Sequence, residues 1–392
     1  VSTDMGLVPL DAHQLRTRKS LKWSRTRSGL VPLDIAEADF AVAEPIREAL
    51  ANAVAASDLG YPDFDSPRGG PHLLAETFAD RMDVKFGVPI DPGRVEICAQ
   101  VMQALCCVIL EFSKPGERIL THTPSYPPIV AAIERLGRKP VLVPVEPAPA
   151  SPPLSSERVA VIILCQPHNP TGRIFTTGQL EAIAERAAVD DAVIFADEIH
   201  HDLTYEMPHR SIATVGNSAG RTIVFTSAAK SFNIPGLRCA VGHFGSSTLH
   251  RRYLQIPWHL RSGAGILGIE ATVAAWTECE PWLTGFRRQL RQNRALVTSA
   301  FRPTTVGHVP PDATYFAWLD LNEIADVAVD PLATFEAEAK VILQRGTLFG
   351  EGHSRFARLN FALPTTRLSD VLSTLSRCFF DDLQQTTTIQ LK

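Results

Sequence analysis

The 392-residue chain lacks a surplus of either charge: 38 Lys and Arg stand against 42 Asp and Glu, a formal net charge of −4. That balance gives no broad attraction to nucleic acid or to an anionic membrane, so neither is expected as a partner. Long apolar runs are missing too. Stretches such as 159–165 stop far short of the roughly 18 residues that a membrane span needs. Residues 1–10 show no basic start leading into an apolar stretch, so no secretory signal is expected. Cysteine pairing is absent as a pattern. Cys98, Cys106, Cys107, Cys165, Cys239, Cys279 and Cys378 include no CxxC, and reduced core thiols in a cytoplasmic protein are the expectation.

What is present reads as a globular α/β chain. Apolar residues make up 45% of it, enough to exclude global disorder. The length calls for two domains, or one large domain and a smaller one. Apolar, β-branched runs at 158–166, 191–196 and 221–227 end in polar turns, and a helix-like stretch at 177–188 puts Leu180, Ile183 and Ala187 on one face. Short buried strands separated by helices imply a mostly parallel sheet covered on both sides. Ligands of such sheets collect at the carboxyl ends of the strands. A further strand is expected at 95–98, and another at Ile35. Residues 282–301 read as a long amphipathic helix. Beyond it, a strand-like 314–321 and a helix-like 369–380 suggest a smaller α+β unit. Residues 147–153 read as a proline-rich loop and 386–392 as a loose tail.

Three strand ends carry unusual residues. Cys165-Gln-Pro-His-Asn-Pro-Thr-Gly172 follows one, Asp197-Glu-Ile-His200 a second, and Ser227-Ala-Ala-Lys230 a third. Singly each is weak. Asn-Pro is turn chemistry, a strand-end aspartate can cap the next segment, and a lone lysine is usually a solvated surface group. His200 and His201 are neighbours; if a strand ran through them they would face opposite sides, so no shared metal site is expected.

The order Asn169, Asp197, Lys230, Arg358 resembles the fold-type I aminotransferase superfamily of pyridoxal 5′-phosphate (PLP) enzymes, over about 34–364. The resemblance implies a large domain at 45–280, with a mostly parallel sheet flanked by helices. Residues 1–44 and 281–392 would form the smaller α+β domain. It implies that Lys230 holds PLP as a Schiff base and that Asp197 keeps the ring nitrogen protonated, the usual protein setting for this electron sink. Asn169 and His200 would bond the ring oxygen, and Tyr126 would stack on the ring. Val101 and Met102 at a helix start, Ser227 and Arg238 would hold the phosphate. Arg358 would clamp the substrate α-carboxylate, with Asn169 and Tyr61 beside it. Tyr61 matches a tyrosine that reaches the neighbouring subunit's phosphate, so a homodimer with shared sites is implied.

Finer matches lead to the MalY/PatB-type cystathionine β-lyase branch, the C–S lyases. They are Asp39-Phe40, Leu59-Gly-Tyr61, His122-Thr-Pro-Ser-Tyr126, Lys230-Ser-Phe-Asn-Ile-Pro235, Ala313-Thr-Tyr-Phe-Ala-Trp-Leu-Asp320 and Arg358-Leu-Asn360. That branch implies β-elimination from an L-cysteine S-conjugate: Lys230 removes the Cα proton, the Cβ–S bond breaks, and thiol, pyruvate and ammonia result. The heavy use of Ala, Arg, Val and Pro fits a high-GC genome, and a tailoring role in secondary metabolism is consistent with that origin. The alternatives are transamination, decarboxylating oxidative deamination and a non-catalytic PLP-binding regulator. Two departures bear on the substrate. Cys98-Ala-Gln-Val-Met102 lacks the glycine usual at the phosphate turn, which is expected to stiffen it. Arg238 stands where related lyases often carry an uncharged residue.

Overall fold

The computed structural model describes residues 6–67, 69–145, 157–324 and 330–389, with side chains as far as 377. The proline-rich stretch at 147–153 lies outside the described residues. Seven strands build the larger sheet: β1 (Val95–Cys98), β2 (Arg118–Thr123), β3 (Lys139–Pro144), β4 (Val161–Cys165), β5 (Val193–Asp197), β6 (Thr222–Thr226) and β7 (Ala240–Phe244). Their order is β1-β7-β6-β5-β4-β2-β3. Pairing from β3 through to β6 is parallel, and β7 runs antiparallel to both of its neighbours.

Strand alternation explains why the middle strands read as unbroken apolar runs. Val161, Ile163, Phe195, Ile223 and Phe225 face one core with the helix Val101–Phe112. Ile162, Leu164, Ile194, Ala196 and Val224 face another with the helix Thr177–Asp190. Each buried Val, Ile, Leu or Phe among them contributes roughly 1.5–3 kcal/mol by leaving water, so the sheet can carry polar groups at its carboxyl edge. Helix Thr177–Asp190 starts on a capping box, Thr176 accepting from the Gln179 N–H while the Gln179 side chain accepts from the Thr176 N–H.

Helix Glu280–Phe301 leads into the smaller sheet of β8 (Gly307–His308), β9 (Phe316–Asp320), β10 (Gln344–Arg345) and β11 (Phe356–Asn360). This sheet is antiparallel, in the order β10-β11-β9-β8. Helix Thr365–Ile389 packs on helix Glu280–Phe301. The loose-tail expectation is therefore corrected for 386–389, which continue the helix; 390–392 lie outside the described residues.

No strand forms at Ile35. Val31–Pro32 pairs with Val341–Ile342, and the next residues leave the ladder to form a strap across both sheets. Asn360 Nδ2 donates to the Ile35 and Glu37 carbonyls at 2.6 and 2.8 Å. Asn233 Nδ2 donates to those of Ala38 and Phe40, both at 3.0 Å. Lys22 and Asp39, both buried, lock the strap's far end with an ion pair at 2.9 Å. Side chains from remote segments thus satisfy its backbone in place of strand partners. No described helix is long and apolar enough to cross a membrane.

Candidate active site

Three adjacent strand ends and one strand of the smaller sheet converge on a single cleft. At the end of β4 the chain turns through 166–172. Gly172 takes φ +69, and an added Cβ would sit 2.3 Å from Pro311 and 2.7 Å from the Ala313 carbonyl, so only glycine fits. The turn delivers Asn169, whose Oδ1 accepts from Arg358 Nη1 at 2.8 Å.

β5 ends on Asp197, in the same facing phase as Phe195. One carboxylate oxygen accepts the Ile199 N–H at 3.1 Å; the other accepts nothing among the described residues. Burial pushes this carboxyl up to about 6, against the opposing pull of that N–H and of Lys230. His200 follows in the turn, its ring edge-on to Tyr315 and Phe316 at 6.0 and 5.6 Å. Its buried Nδ1 has no partner. Burial, then the Lys230 and Arg358 charges, hold the ring neutral. The strand stops at Asp197, so the turn and not strand alternation separates the two histidines. His201 stacks on Phe86 at 4.4 Å, away from His200.

Beyond β6, Ser227 caps the short helix Ala228–Ser231. Its Oγ accepts the Ala229 N–H at 3.1 Å and donates to the Cys239 carbonyl, so its hydroxyl proton is already engaged. That helix presents Lys230. Nζ donates to the Ala36 carbonyl of the strap at 3.2 Å, beside the Tyr315 hydroxyl, which donates to the same oxygen at 3.1 Å. Burial first, then the Arg358 charge, lower the amine to about 8. The half-buried Tyr126 phenol is pushed up by burial and by Asp197, which keeps it a hydrogen-bond donor.

Arg358 comes from the middle of β11. Nη2 donates to the Asp34 carbonyl at 2.7 Å and to Gln344. The guanidinium lies over Phe316 at 4.1 Å and Phe349 at 5.2 Å. Burial brings its pKa down to about 10. At the other end of the cleft, helix Val101–Phe112 begins after an extended Gln100 (φ −166) whose side chain does not cap it. The missing glycine therefore costs nothing, because no positive φ is needed there. Gln100 Oε1 accepts from exposed Arg238 at 2.5 Å. Tyr61 stands apart from all of these, fully exposed.

The arrangement fits PLP on three observations: a buried carboxylate with a free oxygen for a ring N–H, an orphaned His200 nitrogen, and a lysine poised near neutrality. The sequence reading missed Gln344, Phe349 and the strap carbonyls of Asp34 and Ala36. None has a local signal, since each acts through a long-range contact. Among the described residues, no group of three or more His, Cys, Asp and Glu is placed to hold a metal ion.

The pattern of the family "Aminotransferase class I and II" matches residues 30–375. A cystathionine beta-lyase of Corynebacterium glutamicum is 30% identical over 92% of this chain and 97% of its own. Protein MalY of Escherichia coli (strain K12) is 30% identical over 86% and 89%. Among solved structures, a Corynebacterium diphtheriae protein provisionally named a PLP-dependent beta-cystathionase superposes with a TM-score of 0.87. It is 26% identical, with 95% of this chain and 98% of that one covered.

Proposed function

The chain belongs to the aminotransferase class I and II family, and from that premise we propose that it is a PLP-dependent C–S lyase that cleaves the Cβ–S bond of an L-cysteine S-conjugate. The observation that carries this reading is the convergence of Lys230, Asp197 and Arg358 on one cleft, where burial lowers the Lys230 amine to about 8 and so favours the uncharged base the reaction needs. The curated relatives named for cystathionine cleavage favour sulfur as the leaving atom. We read 45–280 as the domain that holds the cofactor, and 1–44 with 281–392 as the one that closes over the substrate.

Bound PLP supplies an electron sink for the pair left when Cα loses its proton. The protein supplies position and proton traffic. Arg358 takes the α-carboxylate in a bidentate clamp, releasing Gln344 and the Asp34 carbonyl as it does so. That grip fixes which Cα bond stands nearest Lys230. Lys230 Nζ, uncharged far more often near neutral pH than an ordinary lysine, takes the Cα proton. Asp197 holds a proton at the ring nitrogen through its free oxygen, and neutral His200 offers its unpartnered Nδ1 on the same side. Tyr126 stays protonated and can donate to the departing sulfur. Phe316 and Phe349 keep water from the guanidinium.

We extend the reading to a homodimer in which Tyr61 enters the partner's site. Exposed Leu59, Trp258 and Leu260 supply apolar surface for that contact. The direct test feeds S-methyl-L-cysteine to the PLP-loaded protein: methanethiol appears with the unaltered chain and is absent with Lys230→Ala. Thiol release by the variant would remove the assignment.

A further inference from the structure

Glu198 follows Asp197 and is fully buried, yet nothing in the proposed reaction uses it. Alternation places it in phase with Ile194 and Ala196, on the opposite face of the sheet from Asp197. There it meets two other buried side chains. His209 Nε2 lies 2.9 Å from Oε2, and Ser211 Oγ donates to Oε1 at 2.8 Å. The backbone of Glu198 is fixed as well. Its N–H donates to the Phe225 carbonyl at 2.9 Å, and its carbonyl accepts from Thr226 Oγ1 at 3.1 Å and the His201 N–H at 3.0 Å. Glu198 is the one side-chain hydrogen-bond partner of His209 among the described residues, its buried Nδ1 being unpartnered while its ring packs against Phe86 and His201. A carboxylate sealed from water without partners would be costly. Both oxygens here are satisfied, and the partners hold the group ionised despite its burial.

The turn this residue stabilises is the one that aims Asp197, because Ile199 N–H holds one aspartate oxygen and leaves the other free for the cleft. We propose that Glu198 is a positioning residue for the aspartate before it: anchored by His209 and Ser211, it fixes the 197–201 turn and keeps a second negative charge across the sheet end from Asp197. The charged or titratable groups around it are Asp197, His201 from the same turn, His209 and, from β7, His243. Its charge adds to that of Asp197 in favouring a protonated cofactor on the far side of the strand end.

The inference rests on the PLP reading of the cleft, and one experiment separates the two. The protein is loaded with PLP and its visible absorption band is titrated with pH. No band in the unaltered protein overturns the PLP reading itself. With the band present, Glu198→Gln removes the charge but keeps the shape, so the midpoint falls by about one pH unit. Release of cofactor becomes several-fold faster, and Glu198→Asp restores the midpoint. A folded Glu198→Gln protein with an unmoved midpoint overturns the proposal. Should that variant not fold, Ser211→Ala carries the test, since it loosens the anchor and leaves the charge. It releases cofactor several-fold faster at an unchanged midpoint, and a release rate equal to that of the unaltered protein overturns the proposal.

Discussion

The two walls of the cleft differ in how their polar groups are satisfied. On the larger sheet, Asp197 keeps a free oxygen and His200 a bare nitrogen, so this wall faces the cleft with hydrogen-bonding capacity in hand. On the smaller sheet, Arg358 already binds Asn169, Gln344 and the Asp34 carbonyl between two aromatic rings. The first wall is shaped for a resident group that arrives once. The second is shaped for a ligand that comes and goes, because every carboxylate that binds trades places with contacts already made. Pre-organised capacity gives tight holding, whereas exchange of partners permits turnover.

The harshest way to break this comparison is to remove the residue on which both walls close. Lys230→Ala should abolish the visible absorption of the PLP-loaded protein and cut turnover by about 10⁴-fold or more. A retained band in purified variant would detach Lys230 from the cofactor. On the exchanging wall, Arg358→Ala should lower kcat/KM about 10²–10³-fold, as expected for loss of a charge-assisted bidentate contact. Arg358→Lys should recover only part of it, since an ammonium lacks the planar fork. Steady-state kinetics with an α-carboxylate substrate reads this directly, and an unchanged kcat/KM would remove Arg358 from the site.

A subtler break separates stability from function on the pre-organised wall. Asp197 has its carboxyl raised from 3.8 to about 6 by burial. The folded cofactor-free protein therefore holds that proton more tightly than the unfolded chain does. Its contribution is fully present below about pH 4 and is lost as pH rises through 6. Asp197→Asn should make the cofactor-free protein more stable at pH 7.5, by up to about 3 kcal/mol, with the gain vanishing near pH 4. The same variant should bind PLP more weakly. Denaturant titrations at the two pH values check this, and an equal difference at both would refute the assignment. The smallest expected effect is at Tyr61, where Phe should loosen PLP retention about 10-fold, the worth of one charged hydrogen bond. Retention unaltered by that change would remove Tyr61 from the partner's site.

The pre-organised wall was the legible one. Asn169, Asp197 and Lys230 stand at or just beyond the ends of apolar strands, and their order along the chain, matched to the aminotransferase superfamily, marked them out. Arg358 was legible as an arginine inside an apolar strand. Its partners Gln344 and Asp34 were not, because contacts between segments 14 and 324 residues apart leave no periodic trace. The same holds for His209 and Ser211 behind Glu198. Ile35 was misread because its apolar neighbours suggest a strand, while side-chain amides of Asn233 and Asn360 satisfy that backbone instead. The missing glycine near Gln100 proved harmless, since the turn runs through extended backbone.

The central claim is that the cleft ejects sulfur from Cβ. The most direct measurement mixes PLP-loaded protein with L-cystathionine in a closed cell and follows free thiol, pyruvate and dissolved oxygen together, without added keto acid. Thiol and pyruvate rising in equal amounts at constant oxygen is the predicted result. Oxygen consumption without thiol, or turnover that begins only when a keto acid is supplied, would contradict it.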